Sequence, residues 1–431
     1  MAHFAPGDTP VVMVSRRYAW IIFALTFGLL ISDYMSRQVL NAVFPLLKLE
    51  WQLTDAQLGS LSGIVALMVG LLTVPLSILA DRWGRIKSLT LMALLWSLAT
   101  LMCALSDSFA EMFAARFLVG IGEAAYGSVG IAVVLSVFPP SLRATLTGAF
   151  MAGGMLGSVL GMALGGVLAE HFGWRWAFAG MAIFGIVLAL VYPLIIREKR
   201  VAPPAPATDK ARPSLRGLVN NPSVLCAYMG SGLQLFVAAS MMAWIPSFMN
   251  RYYHMSTDKA GLAAAVFVLI SGAGMVVCGA LCDRLCRDRA ERKISLAIIY
   301  CLLCCVLMGI GFRLEAGPVQ LAFLGLGMFL VAGTTGPAGA MVANLTHAAI
   351  HGTAFATLTL VNNMLGLAPG PFVTGILADW FGLSQALALV PLLSLASATV
   401  FFVGKRHYQR DVARVRDLTD ADSCTGQTVA A

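Results

Sequence analysis

Charged residues are scarce in this sequence. Asp, Glu, Lys and Arg together make up 12% of its 431 residues, whereas soluble domains carry about 25%. A chain so poor in charge would precipitate if its surface faced water, which excludes an ordinary soluble enzyme or binding domain. Hydrophobic residues make up 59% of the sequence. The lipid bilayer is the solvent that suits this composition, and we expect a protein that crosses it many times.

Complete metal or redox sites are not evident either, although the cysteine spacing leaves such a site open as an alternative to packing. Most of the nine cysteines lie within apolar runs, such as Cys278, Cys282 and Cys286 at helical spacing and the pair Cys301 and Cys304. No set of His and Asp residues accompanies them at the spacing of a zinc site. We therefore interpret these cysteines as small packing residues. No nucleophile with a paired base stands out either, so we expect neither an enzyme nor a cofactor.

Twelve apolar runs are long enough to cross a bilayer as helices, which takes about 20 residues each. They form two groups of six, and we number them spans 1 to 12: 18–42, 55–80, 86–106, 110–138, 142–169, 176–196, 222–249, 260–281, 294–312, 318–345, 353–379 and 385–403. The predicted fold class is therefore an all-α membrane protein with twelve transmembrane helices in two six-helix halves.

The two groups of six define the predicted domains. Residues 18–196 form the first half, and residues 218–404 form the second half. The segment between them, 197–217, is rich in Pro and in charged residues, and we interpret it as a cytoplasmic linker. An N-terminal segment, 1–17, and a C-terminal tail, 405–431, complete the predicted organisation.

The distribution of Lys and Arg predicts the orientation. If both termini are cytoplasmic, 22 of the 29 basic residues lie in cytoplasmic loops and tails, and five lie in the opposite loops. Cytoplasmic loops of membrane proteins carry an excess of Lys and Arg. We therefore expect both termini on the cytoplasmic side of a bacterial-type plasma membrane. The same placement explains the net charge of +8 without a nucleic acid partner.

The two halves resemble each other in sequence. The ends of spans 2 and 8 share an acidic residue followed by Arg: Asp81-Arg82-Trp83-Gly84-Arg85 and Asp283-Arg284. Spans 5 and 11 each end in Gly, one variable residue, Leu, Ala and an acidic residue: Gly166 to Glu170 and Gly375 to Asp379. Such a duplication predicts a binding site between the halves, near the middle of the membrane.

The segment after span 2 resembles the signature loop of the major facilitator superfamily, with a degenerate copy after span 8. Ser77 stands where the family pattern has its first Gly. The resemblance covers nearly the whole chain and implies the major facilitator fold and secondary active transport. A cluster of charges at helix ends can hold two halves together in one state and release them in another. We therefore assign a conformational latch to these residues: Asp81, Arg82, Gly84, Arg85, Asp283 and Arg284.

Four charged residues are predicted to lie deep in the membrane: Asp33, Arg37, Arg116 and Glu123. Ionisable residues at that depth are costly and usually functional. Asp33 and Arg37 are one helical turn apart on span 1, and Arg116 and Glu123 share a face of span 4. With a rise of about 1.5 Å per residue, the two pairs reach similar depths and can meet if the spans are neighbours. The alternative is a permanently paired structural network.

The segments 33–40 and 116–126 resemble the spinster-like branch of the superfamily and are similar to its anion:cation symporters. The resemblance implies anion binding and proton coupling through the Arg of span 1 and the Arg and Glu of span 4. Those families usually place a carboxylate directly before the span 1 Arg. This sequence has Ser36 there, and Asp33, one turn earlier, can substitute for that carboxylate.

The resemblance therefore implies roles for individual residues. Glu123 and Asp33 would couple transport to protons, because a buried carboxyl can gain and lose a proton as the cavity alternates. Arg37 and Arg116 would bind the substrate, since Arg binds carboxylate and phosphate groups through two nitrogens. Tyr126, at the end of the span 4 motif, completes the predicted substrate contacts in the first half.

The predicted spans of the second half contain polar residues but no deep charge. We assign Gln234 on span 7, and Asn362 and Asn363 on span 11, to the substrate site. Polar side chains also hold membrane helices together, so packing is the alternative for all three. The mixture of charge and apolar lining favours a substrate with an anionic head and a neutral or apolar body.

Glycines are frequent in span 5, among them Gly148, Gly157, Gly161 and Gly165. This pattern resembles the glycine motif of drug antiporters in the superfamily, with Met162 in place of their Pro. We expect these glycines to allow close packing of helices.

These observations together predict a monomeric, proton-coupled symporter of a small organic anion, such as a carboxylate or a sugar acid, that works by alternating access. One alternative is a spinster-like carrier of lysolipids or other amphiphiles. A second is a multidrug exporter, and a third, less favoured, is a membrane receptor that binds its ligand without moving it.

Overall fold

The computed structural model describes residues 14–197, 221–286, 291–346 and 350–428. Within these ranges, twelve helical segments are long and apolar enough to cross a membrane, which confirms the predicted fold class. They correspond to spans 1 to 12: Arg16–Trp51, Asp55–Trp83, Arg85–Leu105, Phe109–Val137, Thr145–Phe172, Trp174–Ile195, Pro222–Tyr252, Thr257–Leu285, Glu291–Gly311, Pro318–Leu345, His351–Phe381 and Leu383–Arg414. Most of the predicted linker, 198–217, lies outside the described residues.

Four of these spans are interrupted. Span 4 consists of helices Phe109–Glu123 and Tyr126–Val137, and span 10 of Pro318–Val331 and Thr335–Leu345. Span 11 consists of His351–Asn362, a π-helical turn at Asn363–Leu367, and Pro369–Phe381. Span 12 begins with Leu383–Leu389 and continues as Leu392–Thr428, well past its apolar part. Where a helix is interrupted within the membrane, some backbone N–H and C=O groups lose their partners in the helix, and other groups of the protein or water must bond to them.

The interruption in span 11 has a local cause in the sequence. Pro369 and Pro371 carry no backbone N–H, so they cannot donate to the preceding turn. The N–H of Ala368 instead reaches back five residues to the carbonyl oxygen of Asn363, at 2.9 Å. The carbonyl of Pro371 accepts a hydrogen bond from the Trp244 indole of span 7, at 3.0 Å. The π-helical turn thus follows from the missing N–H groups, and the Trp244 bond connects span 7 to span 11 just after it.

The described residues fall into two compact units. The first contains the described residues of 1–47, 71–210 and 256–265, and the second contains those of 48–70, 211–255 and 266–431. Each unit therefore includes one short segment from the other half of the chain: the start of span 8 in the first unit and the start of span 2 in the second.

Close packing in the first unit depends on the glycines of span 5. A Cβ atom on Gly157 would lie 2.6 Å from the Ile31 carbonyl oxygen, and one on Gly161 would lie 2.8 Å from the Cα atom of Met35. Side chains at these positions would push span 1 away from span 5. The glycine motif therefore brings the backbones of spans 1 and 5 together, in agreement with the expected packing role.

The long helix of span 12 caps another helix in the second unit. Asp411 is buried, and its Oδ2 atom accepts hydrogen bonds from the Ser223 backbone N–H at 3.1 Å and the Ser223 hydroxyl at 2.6 Å. Ser223 lies in the first turn of span 7, where backbone N–H groups have no partner in their own helix. The part of the chain predicted as a tail thus begins with a helix that anchors span 7.

Candidate functional site

Arg37 lies between two carboxyl groups in the first unit. Its Nε atom is 3.2 Å from Oδ1 of Asp33 and 2.7 Å from Oε2 of Glu123. Asp33 and Glu123 are 2% and 1% exposed, whereas the Arg37 side chain keeps 22% of its surface exposed. Spans 1 and 4 therefore meet through these charges, as their positions on the two spans predict.

The interruption of span 4 places Glu123. The first helix of this span ends at Glu123, and the Ala124 carbonyl just beyond it accepts a hydrogen bond from the Thr73 hydroxyl at 2.7 Å. Next to Glu123, Gly122 lies so close to span 3 that a Cβ atom would be 2.6 Å from the Trp96 backbone nitrogen. The close contact of Gly122 with span 3 and the hydrogen bond from Thr73 to the Ala124 carbonyl together fix the backbone position of Glu123.

Arg116 is buried against the backbone of span 1. It is 1% exposed, and its guanidinium donates to the carbonyl oxygens of Ser36 at 2.9 Å and Arg37 at 3.5 Å. A charged donor to two carbonyls of span 1 holds that helix beside span 4. Arg116 therefore contacts the helix that carries the site, and Arg37 is the more accessible of the two arginines. We call Asp33, Arg37, Arg116 and Glu123 the buried charge cluster.

Tyr34 and Gln38 extend the accessible side of this cluster, and sequence analysis missed both. The Arg37 guanidinium lies over the Tyr34 ring at 5.2 Å from its centroid, a cation–π contact. Gln38 accepts a hydrogen bond from the Asn41 amide at 2.7 Å. Tyr34, Arg37 and Gln38 are part-exposed residues at positions i, i+3 and i+4. That spacing places them on one face of span 1 and could have identified them.

Tyr126 packs between spans 1, 3 and 4, near the buried charge cluster. It is fully buried, its hydroxyl donates to the Thr26 carbonyl at 2.7 Å, and its ring packs edge-on against Trp96 at 4.9 Å. These contacts connect the second helix of span 4 to spans 1 and 3. The structure therefore places Tyr126 among packing contacts, and its predicted role in substrate binding stays a prediction.

The polar residues assigned to the site in the second half have different environments. Gln234 is fully buried, and its amide donates at 3.3 Å to the carbonyl of Val331, where span 10 is interrupted. Asn363 is buried and donates to Thr359 of its own helix at 2.9 Å. Asn362 is partly exposed, directly before the π-helical turn. Of the three, Asn362 has the most accessible side chain.

The predicted latch residues lie at the ends of spans 2 and 8. Asp81 is paired with Arg85 at 3.0 Å, across Gly84, whose φ of 106° favours glycine. In the other unit, Asp283 is paired with Lys293 at 2.9 Å, a basic partner that sequence analysis did not assign. Arg82 and Arg284 are exposed. The latch function of these residues stays a prediction.

Comparison with known proteins identifies the family. The sequence profile of the Major Facilitator Superfamily matches residues 26–369. The chain belongs to this superfamily. Its members are transporters of small molecules, and the predicted resemblance to the superfamily is confirmed.

Relatives named for different functions align with most of this superfamily member. An MFS-type efflux pump of Mycolicibacterium smegmatis is 25% identical, with 92% of this chain and 95% of the relative covered. A probable L-galactonate transporter of Escherichia coli is 25% identical, with 84% of each covered. The sphingosine-1-phosphate transporter SPNS2 of Danio rerio is 24% identical, with 88% and 80% covered.

A solved structure with the same fold supports the spinster-like resemblance. It is the crystal structure of a bacterial homolog of the human lysosomal transporter Spinster, and it superimposes with a TM-score of 0.82 at 19% identity. The match covers 92% of this chain and 99% of the homolog. The superfamily member described here is therefore a multi-pass membrane transporter with a spinster-like fold.

Proposed function

We propose that this superfamily member carries a small organic anion, a carboxylate or a sugar acid, together with a proton, by alternating access. The observation that carries the proposal is the position of Arg37. Asp33 and Glu123 hold its Nε atom, while the side chain stays partly accessible. A guanidinium has two further nitrogens in a planar fork that matches a carboxylate. The terminal nitrogens of Arg37 can therefore bind an anion without breaking the internal contacts.

The formal charges of the buried charge cluster support coupling to a proton. Asp33 and Glu123 balance Arg37 and Arg116, so the fully ionised cluster is neutral. A bound monoanion leaves one excess negative charge in surroundings of low dielectric, where such a charge is costly. Uptake of one proton by either carboxyl group restores neutrality. The anion and the proton therefore favour each other's binding, and this coupling is reciprocal.

The cluster also suits the two steps of a transport cycle. With anion and proton bound, the site is neutral and can move past the low-dielectric core. On the side where the proton concentration is low, loss of the proton leaves the anion next to an ionised carboxylate and weakens its binding. The proton gradient then drives net accumulation, provided that the empty cluster, which is also neutral, returns. Import into the cytoplasm follows from an inward proton gradient.

An amphiphile with an anionic head is the second candidate. Its support comes from the relative named as a sphingosine-1-phosphate transporter and from the spinster-like fold. Arg37 would then bind the head group, because Arg binds phosphate as well as carboxylate. The relative named as an efflux pump supports export instead of import, which the same cluster permits when the gradients are reversed.

A thermal stability screen tests the proposal. The purified protein is heated with sugar acids, small carboxylates, lysolipids or cationic amphiphiles, beside the variant Arg37→Ala. A ligand that binds only the folded state raises the unfolding midpoint. We expect L-galactonate or a related acid to raise the midpoint of the wild type and not that of the variant. Stabilisation by lysolipids alone would replace the small anion with the second candidate, and stabilisation by cations alone would contradict both.

A further inference from the structure

The repeated segments at the ends of spans 5 and 11 make the same kind of contact. Oε2 of Glu170, at the end of span 5, accepts a hydrogen bond from the Thr257 backbone N–H at 3.0 Å. The carboxylate of Asp379, at the end of span 11, accepts from the backbone N–H groups of Asp55 at 2.7 Å and Ala56 at 2.9 Å. Thr257 begins span 8, and Asp55 begins span 2.

Each acid therefore caps the N-terminus of a helix to which it does not belong. The first N–H groups of a helix have no partner within it, and the helix dipole places partial positive charge there. A carboxylate satisfies both, and such caps usually come from the helix's own first residues. Here they come from residues 87 and more than 300 positions away in sequence. We call the Glu170 and Asp379 contacts the acid caps.

The glycine that precedes each acid by four residues makes the approach possible. Gly166 and Glu170 lie on one face of span 5, as do Gly375 and Asp379 on span 11. A Cβ atom on Gly166 would lie 2.7 Å from the Thr257 carbonyl oxygen, and one on Gly375 would clash with the Asp55 carbonyl. The glycine and the acid of each repeated segment therefore have separate roles. The glycine leaves room for the neighbouring helix end, and the acid accepts hydrogen bonds from its backbone N–H groups.

Both acid caps connect the predicted halves of the chain on one side of the membrane. Span 5 belongs to the first half and span 8 to the second, and span 11 belongs to the second half and span 2 to the first. Successive spans run in opposite directions, so both contacts lie on the side opposite the loops rich in Lys and Arg. A carrier that opens on that side has to separate these segments.

The two caps differ in strength. Asp379 uses both carboxylate oxygens, and the residue that it caps, Asp55, is also paired with Lys48 at 2.6 Å and with both terminal nitrogens of Arg251 at 2.8 and 2.6 Å. Glu170 makes its cap through one oxygen. Both acids are exposed, so water can hydrate them once a contact breaks. The caps are therefore reversible, and the Asp379 cap is the stronger one.

We propose that the Glu170 and Asp379 caps are a duplicated latch that holds the transporter closed on the side opposite its basic loops, and that both must open in each transport cycle. The latch rests on the proposed alternating access and not on the identity of the substrate. It differs from the predicted charge latch at the ends of spans 2 and 8, which lies on the other side of the membrane. Removal of either acid shifts the protein towards the state that is open on this side.

Distances between spin labels in lipid nanodiscs test this proposal without any substrate. One pair, at Leu49 and Trp380, reports on the Asp379 cap, and a second, at Phe172 and Leu262, reports on the Glu170 cap. All four positions are exposed and flank the contacts. Three native cysteines are replaced by Ser to prevent background labelling: Cys226, Cys305 and Cys424.

The variants are Asp379→Ala and Glu170→Ala, each with both label pairs. Loss of a cap typically changes an equilibrium about fivefold, which corresponds to about 1 kcal/mol. We expect the long-distance population to rise by at least this factor in Asp379→Ala, by less in Glu170→Ala, and at both label pairs in each variant. The conservative variant Asp379→Asn, which keeps an acceptor but loses the charge, should give an intermediate shift.

Glu111→Ala is the matched control, because Glu111 accepts from the Asp107 backbone N–H at 2.9 Å and thus caps its own helix on the same side. It should leave both distance distributions unchanged. Gly375→Ala keeps Asp379 but blocks the approach, so it should shift the distances as Asp379→Ala does. Distributions in Asp379→Ala and Gly375→Ala that match the control would overturn the latch. That result would leave the anion proposal untouched, because no ligand is present.

Discussion

The Nε atom of Arg37 lies 2.7 Å from Oε2 of Glu123, and so a side chain of span 1 is paired with one of span 4. Asp33 competes for the same nitrogen at 3.2 Å. Two acids thus share one cation inside a transporter. A second guanidinium, that of Arg116, donates to the carbonyl of Ser36, the residue before Arg37. Changes to any member of this set should affect binding and coupling in different ways.

Removal of the Glu123 charge should separate exchange from accumulation. In Glu123→Gln the amide keeps the shape and a contact to Arg37 but cannot release a proton. We expect substrate exchange between two sides at equal pH to continue, within about threefold of the wild type, and accumulation driven by a pH gradient to be lost. Exchange is measured with proteoliposomes that contain unlabelled substrate, at equal pH on both sides. Accumulation is measured with proteoliposomes that contain no substrate, under an imposed pH gradient.

Glu111→Gln serves as the control for this variant, because Glu111 is a carboxylate outside the cluster. It should show both activities. Full accumulation by Glu123→Gln would exclude Glu123 as the coupling residue and leave Asp33 as the candidate.

Substitution of Lys for each arginine should distinguish binding from support. Lys keeps the charge but has no planar fork, so Arg37→Lys should weaken anion binding about 10- to 100-fold, equivalent to about 1.4–2.8 kcal/mol. Arg116→Lys should instead lower the unfolding midpoint, because two carbonyls of span 1 lose a bidentate donor. Ligand titration and thermal unfolding of both variants provide the comparison. Equal affinity losses in the two variants would assign Arg116 to the substrate as well.

The packing of spans 1 and 5 should tolerate no side chain at Gly157. A Cβ atom there would lie 2.6 Å from the Ile31 carbonyl, and a strained contact of this kind costs about 1–3 kcal/mol. We expect Gly157→Ala to lower the unfolding midpoint clearly. Gly148→Ala, in the same helix, is the control, because a Cβ atom there meets nothing within 4 Å. If both variants unfold like the wild type, the close approach of spans 1 and 5 is not required for stability.

The cap that Asp411 places on span 7 should contribute measurably to stability. Its buried carboxylate accepts two hydrogen bonds from Ser223, and loss of such a cap costs about 0.5–2 kcal/mol. Asp411→Ala should therefore unfold at lower temperature or denaturant concentration than the wild type. Asp107→Ala removes a carboxylate whose side chain is 83% exposed and should have little effect. A truncation before residue 411 should be at least as destabilising as Asp411→Ala.

The sequence was sufficient to predict the spans and the meeting of the buried charges. A helix that crosses the hydrocarbon core takes about 20 mostly apolar residues, so each span could be recognised as a long apolar run. A charge inside such a run had to find a partner, and the rise of the helices placed Asp33 and Arg116 at nearly the same depth, with Glu123 closer to the middle of the membrane. The spans and the depths follow from rules that act along a single helix, whereas the meeting of the charges also required that spans 1 and 4 be neighbours.

Other features depend on neighbours that the sequence does not reveal. The two prolines hint at the π-helical turn at Asn363–Leu367, but the sequence does not reveal that the Trp244 indole of span 7 donates to the Pro371 carbonyl. The sequence does not reveal that the Arg116 guanidinium donates to two carbonyls of span 1, and its predicted role in substrate binding stays a prediction. The repeat ending in Glu170 and Asp379 was recognised as a sign of duplication, but only the structure shows which helix ends these acids touch.

The buried charge cluster is confined to spans 1 and 4, whereas the acid caps are divided equally between the two halves. Natural selection can therefore alter the cargo through a few side chains on two helices and leave the contacts between helix ends as they are. The three relatives compared above, which share about a quarter of their residues with this chain, are named for different functions, as such a division of labour would allow.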